Sequence, residues 1–124
     1  MTLTVLINAG PWLPVPPPDY GGIENVLATL IPELRARGVE VVLCTVEESA
    51  VQVDDRRCAF PDGQFGHLAG PYAQVMGITH AHMATVLETL RSRPDIDDRG
   101  IEVELHRLLG IRAGEAQQHG PVAA

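Results

Sequence analysis

A pair of glycines at the start of a predicted helix is the part of this sequence best suited to bind a ligand. Gly21 and Gly22 end a proline-rich stretch and precede Ile23, where an apolar repeat of helical spacing begins. Glycines at such a point let a ligand approach the backbone closely, and the free N–H groups of a helix N-terminus favour phosphate or another anion. A glycine pair also ends loops that bind nothing, so its spacing alone leaves both interpretations open.

Two neighbouring side chains complete this candidate site. Tyr20 precedes the glycine pair and Glu24 follows it. Glu24 falls in the first turn of the predicted helix, where a carboxylate complements the helix dipole. Helix capping is therefore an alternative to a ligand contact for this residue.

The histidines and cysteines do not have the spacing of a metal site. His80 and His82 lie two positions apart on a predicted helix, so their side chains point about 200° apart, and we expect both to be partly exposed. Cys44 belongs to an apolar run, which is typical of a buried core residue. The sequence leaves open a disulfide between Cys44 and Cys58. It predicts no metal and no cofactor.

The elements that position the glycine pair are predicted from the spacing of apolar residues. Residues 3–7 and 39–46 are predicted to be buried strands, and residues 11–22 form an irregular loop because they are rich in proline. Between them lies a helix that ends near Gly38 and is expected to bend at Pro32. Its predicted buried face comprises Ile23, Val26, Leu27, Leu30 and Leu34. Strand, helix and strand make a β-α-β unit with a right-handed crossover.

The rest of the chain has a weaker pattern. Residues 47–70 are rich in turns, with a candidate short strand at 57–60. A helix is predicted at 72–91, with Gly77 as a candidate break. Its predicted buried face comprises Met76, Met83, Val86, Leu87 and Leu90. The predicted fold is α/β, a partial Rossmann-like three-layer fold with a small parallel sheet over residues 1–97. A short helix and a disordered tail are predicted for 98–124.

Composition narrows the class of protein. The chain has 124 residues, 45% hydrophobic and 20% charged, with a formal net charge of −7. An acidic chain lacks the clustered positive charge that binds nucleic acids or anionic membranes. The N-terminus does not have the pattern of a signal peptide, and no apolar run approaches the ~20 residues of a membrane span. We therefore expect a cytoplasmic protein with no transmembrane segment.

One stretch resembles a known family. Residues 10–24, GPWLPVPPPDYGGIE, resemble the N-terminal signature of family 4 glycosyltransferases, which are retaining enzymes of the GT-B fold. The likeness continues through Leu34, Arg37, Gly38 and the second strand, with Val39 where the family usually has histidine.

The resemblance implies a two-domain enzyme that transfers a sugar from a nucleotide-diphosphate donor to an acceptor. The N-terminal domain would hold the acceptor. The loop with Gly21 and Gly22 would border the donor phosphates, with Tyr20 and Glu24 as neighbours. Most donor contacts would come from a C-terminal domain, and no catalytic residue is assigned in this chain.

The family pattern is followed only as far as Asp97. Family members continue with a strand that ends in His-x-His, whereas this chain continues with Asp98-Arg99-Gly100. We therefore expect a truncated or frameshifted domain that is inactive by itself. The alternative is a stand-alone, non-catalytic α/β module that binds a small anion or a partner protein. A flavodoxin-like nucleotide binder fits less well, because the first loop is rich in proline.

Overall fold

A three-stranded parallel sheet lies at the centre of the computed structural model, which describes residues 3–96. The strand order is β1-β2-β3, so the predicted α/β class with a small parallel sheet is confirmed. The long elements are β1 (Thr4–Asn8), α1 (Gly22–Ala36), β2 (Glu40–Thr45), β3 (Asp55–Cys58) and α2 (Tyr72–Ser92). A 3-10 turn at Phe65–His67 precedes α2. The helix and tail predicted for residues 98–124 lie outside the described residues.

Strand β2 is the middle strand, and its side chains are buried on both faces of the sheet. Val41 and Leu43 pack in the core cluster that also contains Leu27 of α1. On the opposite face the Cys44 thiol lies 3.9 Å from the hydroxyl of Thr89 in α2. Because successive side chains of a strand alternate between faces, the two helices cover opposite faces and give three layers.

Helix α1 packs on the sheet through Leu27, Ile31 and Leu34. The predicted face was wrong at its first turns, because Ile23 is 68% exposed and Val26 is 62% exposed. Both residues lie on the side of the buried stripe away from Arg35, whose guanidinium pairs with Asp54 beside β3. The helix continues through Pro32 and ends before Gly38, whose φ of +83° is one that glycine readily adopts.

Helix α2 runs without a break past Gly77, so that predicted interruption was wrong. Its buried residues are Ile78, His82, Val86 and Thr89, which follow one another at helical spacing. Of the predicted face, Val86 alone is fully buried, while Met83, Leu87 and Leu90 are exposed. Met83 contacts Asn8 at the end of β1, and Leu87 and Leu90 follow it at helical spacing on the same side of α2.

Strand β3 lies two residues earlier than the candidate strand at 57–60. Its sequence, Asp-Arg-Arg-Cys, has no apolar alternation, so hydrophobic patterning does not mark it. Polar contacts fix it instead. The carboxylate of Asp54 accepts the Val41 N–H at 2.8 Å, and Asp55 is ion-paired with both Arg57 and Arg93.

The proline-rich loop after β1 is irregular, as predicted, and hydrogen bonds hold it from two sides. Val15 is fully buried; its N–H donates to the Ser49 hydroxyl at 2.8 Å, and its carbonyl accepts the Ala50 and Val51 N–H groups at 3.0 Å. On the other side, the carbonyls of residues 11 and 12 accept N–H groups of residues 64 and 65. The loop is therefore fastened to the connections that follow both β2 and β3.

Candidate functional site

The loops that follow the three strands meet at one edge of the sheet, which we call the carboxyl edge. They comprise residues 9–21, 46–50 and 59–71, and the N-terminus of α1 lies at the same edge. In open parallel sheets ligands bind at this edge. The four residues singled out from the sequence, Tyr20, Gly21, Gly22 and Glu24, all lie there.

The space available for a side chain differs between Gly21 and Gly22. Gly21 is buried, and a Cβ at this position would lie 2.9 Å from the Pro17 Cγ and 2.9 Å from the Glu24 Oε1. Packing alone therefore explains Gly21. Gly22 is exposed, and the nearest atom to its Cβ position, the Tyr20 hydroxyl, is 3.6 Å away. The structure thus has room for a side chain at Gly22 and leaves its surface open to a ligand.

The N-terminus of α1 has no side-chain cap in the described part of the chain. The first main-chain bond of the helix runs from the Asn25 N–H to the Gly21 carbonyl at 2.8 Å, so the amides of the turn before Asn25 remain available. The Glu24 carboxylate lies beside Gly21 and complements the helix dipole. Tyr20 is 88% exposed and flanks the same turn.

A second polar arrangement lies at this edge, where β1 ends against α2. The Nε2 of His82 and the Oδ1 of Asn8 are 2.6 Å apart, and the Gly10 N–H donates to the same oxygen at 3.0 Å. Since the Gly10 N–H identifies this atom as the carbonyl oxygen of the amide, His82 donates from Nε2. The other ring nitrogen, Nδ1, is then an acceptor.

His82 is deeply buried, with 2% of its surface exposed, which contradicts the predicted partial exposure. His80, the other histidine of the predicted pair, is exposed as expected. Among the described residues Nδ1 of His82 has no hydrogen-bond partner, an arrangement that costs about 1–3 kcal/mol. Burial lowers the pKa of His82 because the charged imidazolium would lose its hydration.

Charge at the carboxyl edge is of one sign. Its loops and the first turn of α1 contain carboxylates and no arginine or lysine; the acidic residues are Asp19, Glu24, Glu47, Glu48 and Asp62. The guanidinium groups of Arg35, Arg57 and Arg93 pair with aspartates near the starts of β2 and β3. An anion at the start of α1 would therefore receive backbone N–H groups, and the loops around it supply no arginine or lysine.

No part of the chain that the structure describes gathers three or more potential metal ligands. Both cysteines are free, and burial raises the pKa of each thiol. Helices within residues 3–96 are all too short or too polar to cross a membrane.

Sequence reasoning missed Asn8 and His82. A usable signal was present for each: Asn8-Ala9-Gly10 is a turn sequence in which asparagine accepts an N–H two residues on, and His82 lies four residues from both Ile78 and Val86. No protein-family model, curated protein or solved structure matches this chain.

Proposed function

We propose that this chain is the acceptor-side half of a GT-B glycosyltransferase and that it does not transfer sugar by itself. The observation that carries the proposal is the first β-α-β unit. Its parallel strands and proline-rich loop bring Gly21 and Gly22 to the carboxyl edge, directly at an uncapped helix N-terminus. This is the arrangement that the resemblance of residues 10–24 implies.

In the proposed reaction the bond between the donor sugar and its diphosphate breaks, the oxygen of an acceptor hydroxyl forms the new bond to the sugar, and the hydroxyl proton passes to the leaving diphosphate. The amides at the start of α1 would border the leaving diphosphate. They supply partial positive charge only, and the surrounding carboxylates oppose an anion. The remaining positive charge would come from the donor-binding half, so this half alone binds the nucleotide weakly.

An uncovered apolar surface favours the view that the chain works as part of a larger assembly. Strand β1 has no neighbour on its outer side among residues 3–96. The exposed apolar side chains that flank it are Ile23 and Val26 of α1 and Met83, Leu87 and Leu90 of α2. We call this the open-edge surface. A parallel sheet of this kind is normally buried on both faces and extended by further strands.

A titration with nucleotide sugars tests the proposal. UDP-glucose and GDP-mannose, added to ¹⁵N-labelled chain, should shift the amide signals of residues 21–24 with a Kd of about 1 mM or weaker. The Gly22→Ala variant should fold normally, because its Cβ has space, and should lose these shifts. Gly66→Ala is the matched control: it adds a methyl group in open space at the same edge and should keep them. Shifts confined to other regions, or none at any soluble concentration, would contradict the proposal.

The open-edge surface also supports a second candidate, a non-catalytic module whose sheet is extended by a partner protein, here a second copy of this chain. This candidate predicts that nucleotide sugars leave all amide signals unchanged. It also predicts that the chain associates through β1, so that Val26→Glu and Leu87→Glu reduce the mass measured by light scattering. A monomeric chain that responds to nucleotide sugars at α1 would exclude it.

A further inference from the structure

Asn8 presents a fixed hydrogen-bond donor at the carboxyl edge. Its Oδ1 faces inward and accepts from both the Gly10 N–H and the His82 Nε2–H. The amide nitrogen, Nδ2, therefore faces the other way, and its one protein contact within residues 3–96 is the Met83 sulfur at 3.7 Å. A thioether is a weak acceptor, so the Nδ2 group keeps most of its donor capacity for a ligand.

The burial of His82 is difficult to explain by stability. It belongs to the face of α2 that includes Ile78 and Val86, where an apolar side chain would pack without leaving Nδ1 unpartnered. Its one side-chain hydrogen bond in the described structure is the one to Asn8. Asn8 itself is exposed, so this bond holds a surface group rather than joining two core residues.

The charges around Asn8 indicate which ligand its amide suits. The loops of the carboxyl edge contain carboxylates and no arginine or lysine, which disfavours phosphates at a neutral amide. A ligand rich in hydroxyl groups has no charge to be repelled and can accept a hydrogen bond from Nδ2.

We propose that Asn8 binds a hydroxyl group of a neutral polyhydroxyl ligand, such as the acceptor sugar of the proposed function, and that His82 is its positioning residue. The identification of this ligand as the acceptor rests on the proposed function, whereas the Asn8–His82 arrangement does not. Asn8 touches the ligand, and His82 acts through Asn8 by keeping Oδ1 inward and Nδ2 outward.

Glucose, sucrose and inorganic pyrophosphate serve as probes, each titrated into the ¹⁵N-labelled full chain. The two sugars should shift the side-chain amide signals of Asn8 and the backbone amide signals of Ala9 and Gly10, and pyrophosphate should not. Asn8→Asp keeps the inward-facing oxygen and removes the donor, so it should fold and lose the sugar-induced shifts of the Ala9 and Gly10 backbone amides. Backbone shifts that persist in Asn8→Asp, or sugars that leave the wild-type Asn8 signals unchanged, would overturn the proposal.

Two substitutions of His82 separate positioning from a structural role. His82→Leu should preserve or raise the melting temperature, yet weaken the sugar response about tenfold and broaden the Asn8 side-chain signals. His82→Gln, which retains a donor near the Nε2 position, should rescue the response to within about twofold. A purely structural His82 would instead give a leucine variant that is destabilised but binds sugar normally.

These outcomes are distinct from those of the nucleotide titration. If UDP-glucose shifts the amides of residues 21–24 and the sugars do not affect Asn8, this inference fails and the proposed function stands. If the sugars act at Asn8 and nucleotides act nowhere, the site binds polyhydroxyl compounds and the proposed function fails.

Discussion

The guanidinium of Arg93 lies 2.9 Å from the carboxylate of Asp55 and thereby ties the end of α2 to the first residue of β3. The same guanidinium contacts Asp95 at 2.7 Å and Glu40 at 3.7 Å. These ion pairs lie where β2 and β3 begin, at the edge of the sheet opposite the carboxyl edge. Because β3 has little apolar content, they replace part of the hydrophobic packing that usually fixes an edge strand.

Removing Arg93 should therefore destabilise the chain. We expect Arg93→Met to lower the free energy of unfolding by about 1–2 kcal/mol, since it leaves Asp55 with fewer donors and loosens β3. Urea unfolding measures the change. Arg91→Met is the matched control, because Arg91 is exposed and its ion pair with Glu88 is long, at 3.8 Å. This substitution should change the free energy of unfolding by less than about 0.5 kcal/mol. Equal effects of the two substitutions would disprove the special role of Arg93.

The same group predicts how acid affects folding. Hydrogen bonds from Arg57 lower the pKa of Asp55, and those from Arg93 lower the pKa of Asp95 to about 2. A lowered carboxyl pKa contributes stability that is present above the unfolded value, near pH 4, and is lost as the pH falls through the folded value. Unfolding free energy should therefore fall between about pH 4 and pH 2, with a smaller slope in Asp55→Asn.

His82 predicts a second loss of stability on acidification, which begins at a higher pH than the loss caused by the carboxylates. Burial lowers its pKa in the folded chain, so on acidification the unfolded chain binds this proton first. Stability should decrease as the pH falls below about 6.5, the usual histidine value, and this decrease precedes that of the carboxylates. Denaturant titrations between pH 7 and pH 5 should show a flatter profile for His82→Leu. His80→Gln, at an exposed position of the same helix, should retain the wild-type slope.

Gly63 should tolerate no side chain. A Cβ there would lie 2.6 Å from the Trp12 carbonyl oxygen and 3.3 Å from the Leu13 Cα, both backbone atoms of the proline-rich loop. We expect Gly63→Ala to cost about 1–3 kcal/mol, because the loop must move to admit the methyl group. Thermal unfolding measures this cost. Gly66→Ala, which meets no atom within 4 Å, should melt close to the wild type.

How far the sequence predicts this molecule depends on which force fixes each element. The β1-α1-β2 unit is predictable because buried strands and an amphipathic helix have clear periods. Strand β3 was misplaced by two residues because hydrogen bonds and ion pairs of Asp54 and Asp55, rather than apolar alternation, determine it. Arg57 lies two residues from Asp55, but Val41 and Arg93 lie 13 and 38 residues from their aspartates, and a local pattern does not show such contacts.

The faces of the helices could not be predicted fully for a different reason. Apolar periodicity marks every apolar surface of a helix, including one that residues 3–96 leave uncovered. Ile23 of α1 and Leu87 of α2 were therefore assigned to the core, although both belong to the open-edge surface. His82 was missed in the opposite way, because a polar side chain was taken as evidence of exposure.

The hydrogen bonds on both sides of the proline-rich loop have a consequence for recognition. Val15 and the carbonyls of residues 11 and 12 already hold the backbone that leads to Gly21. A ligand arriving at the start of α1 thus meets a preorganised surface, and its binding incurs little entropic penalty for ordering the protein. We therefore expect the loop to keep its conformation when a ligand binds. Its fast backbone motions should be similar in the free and the bound chain.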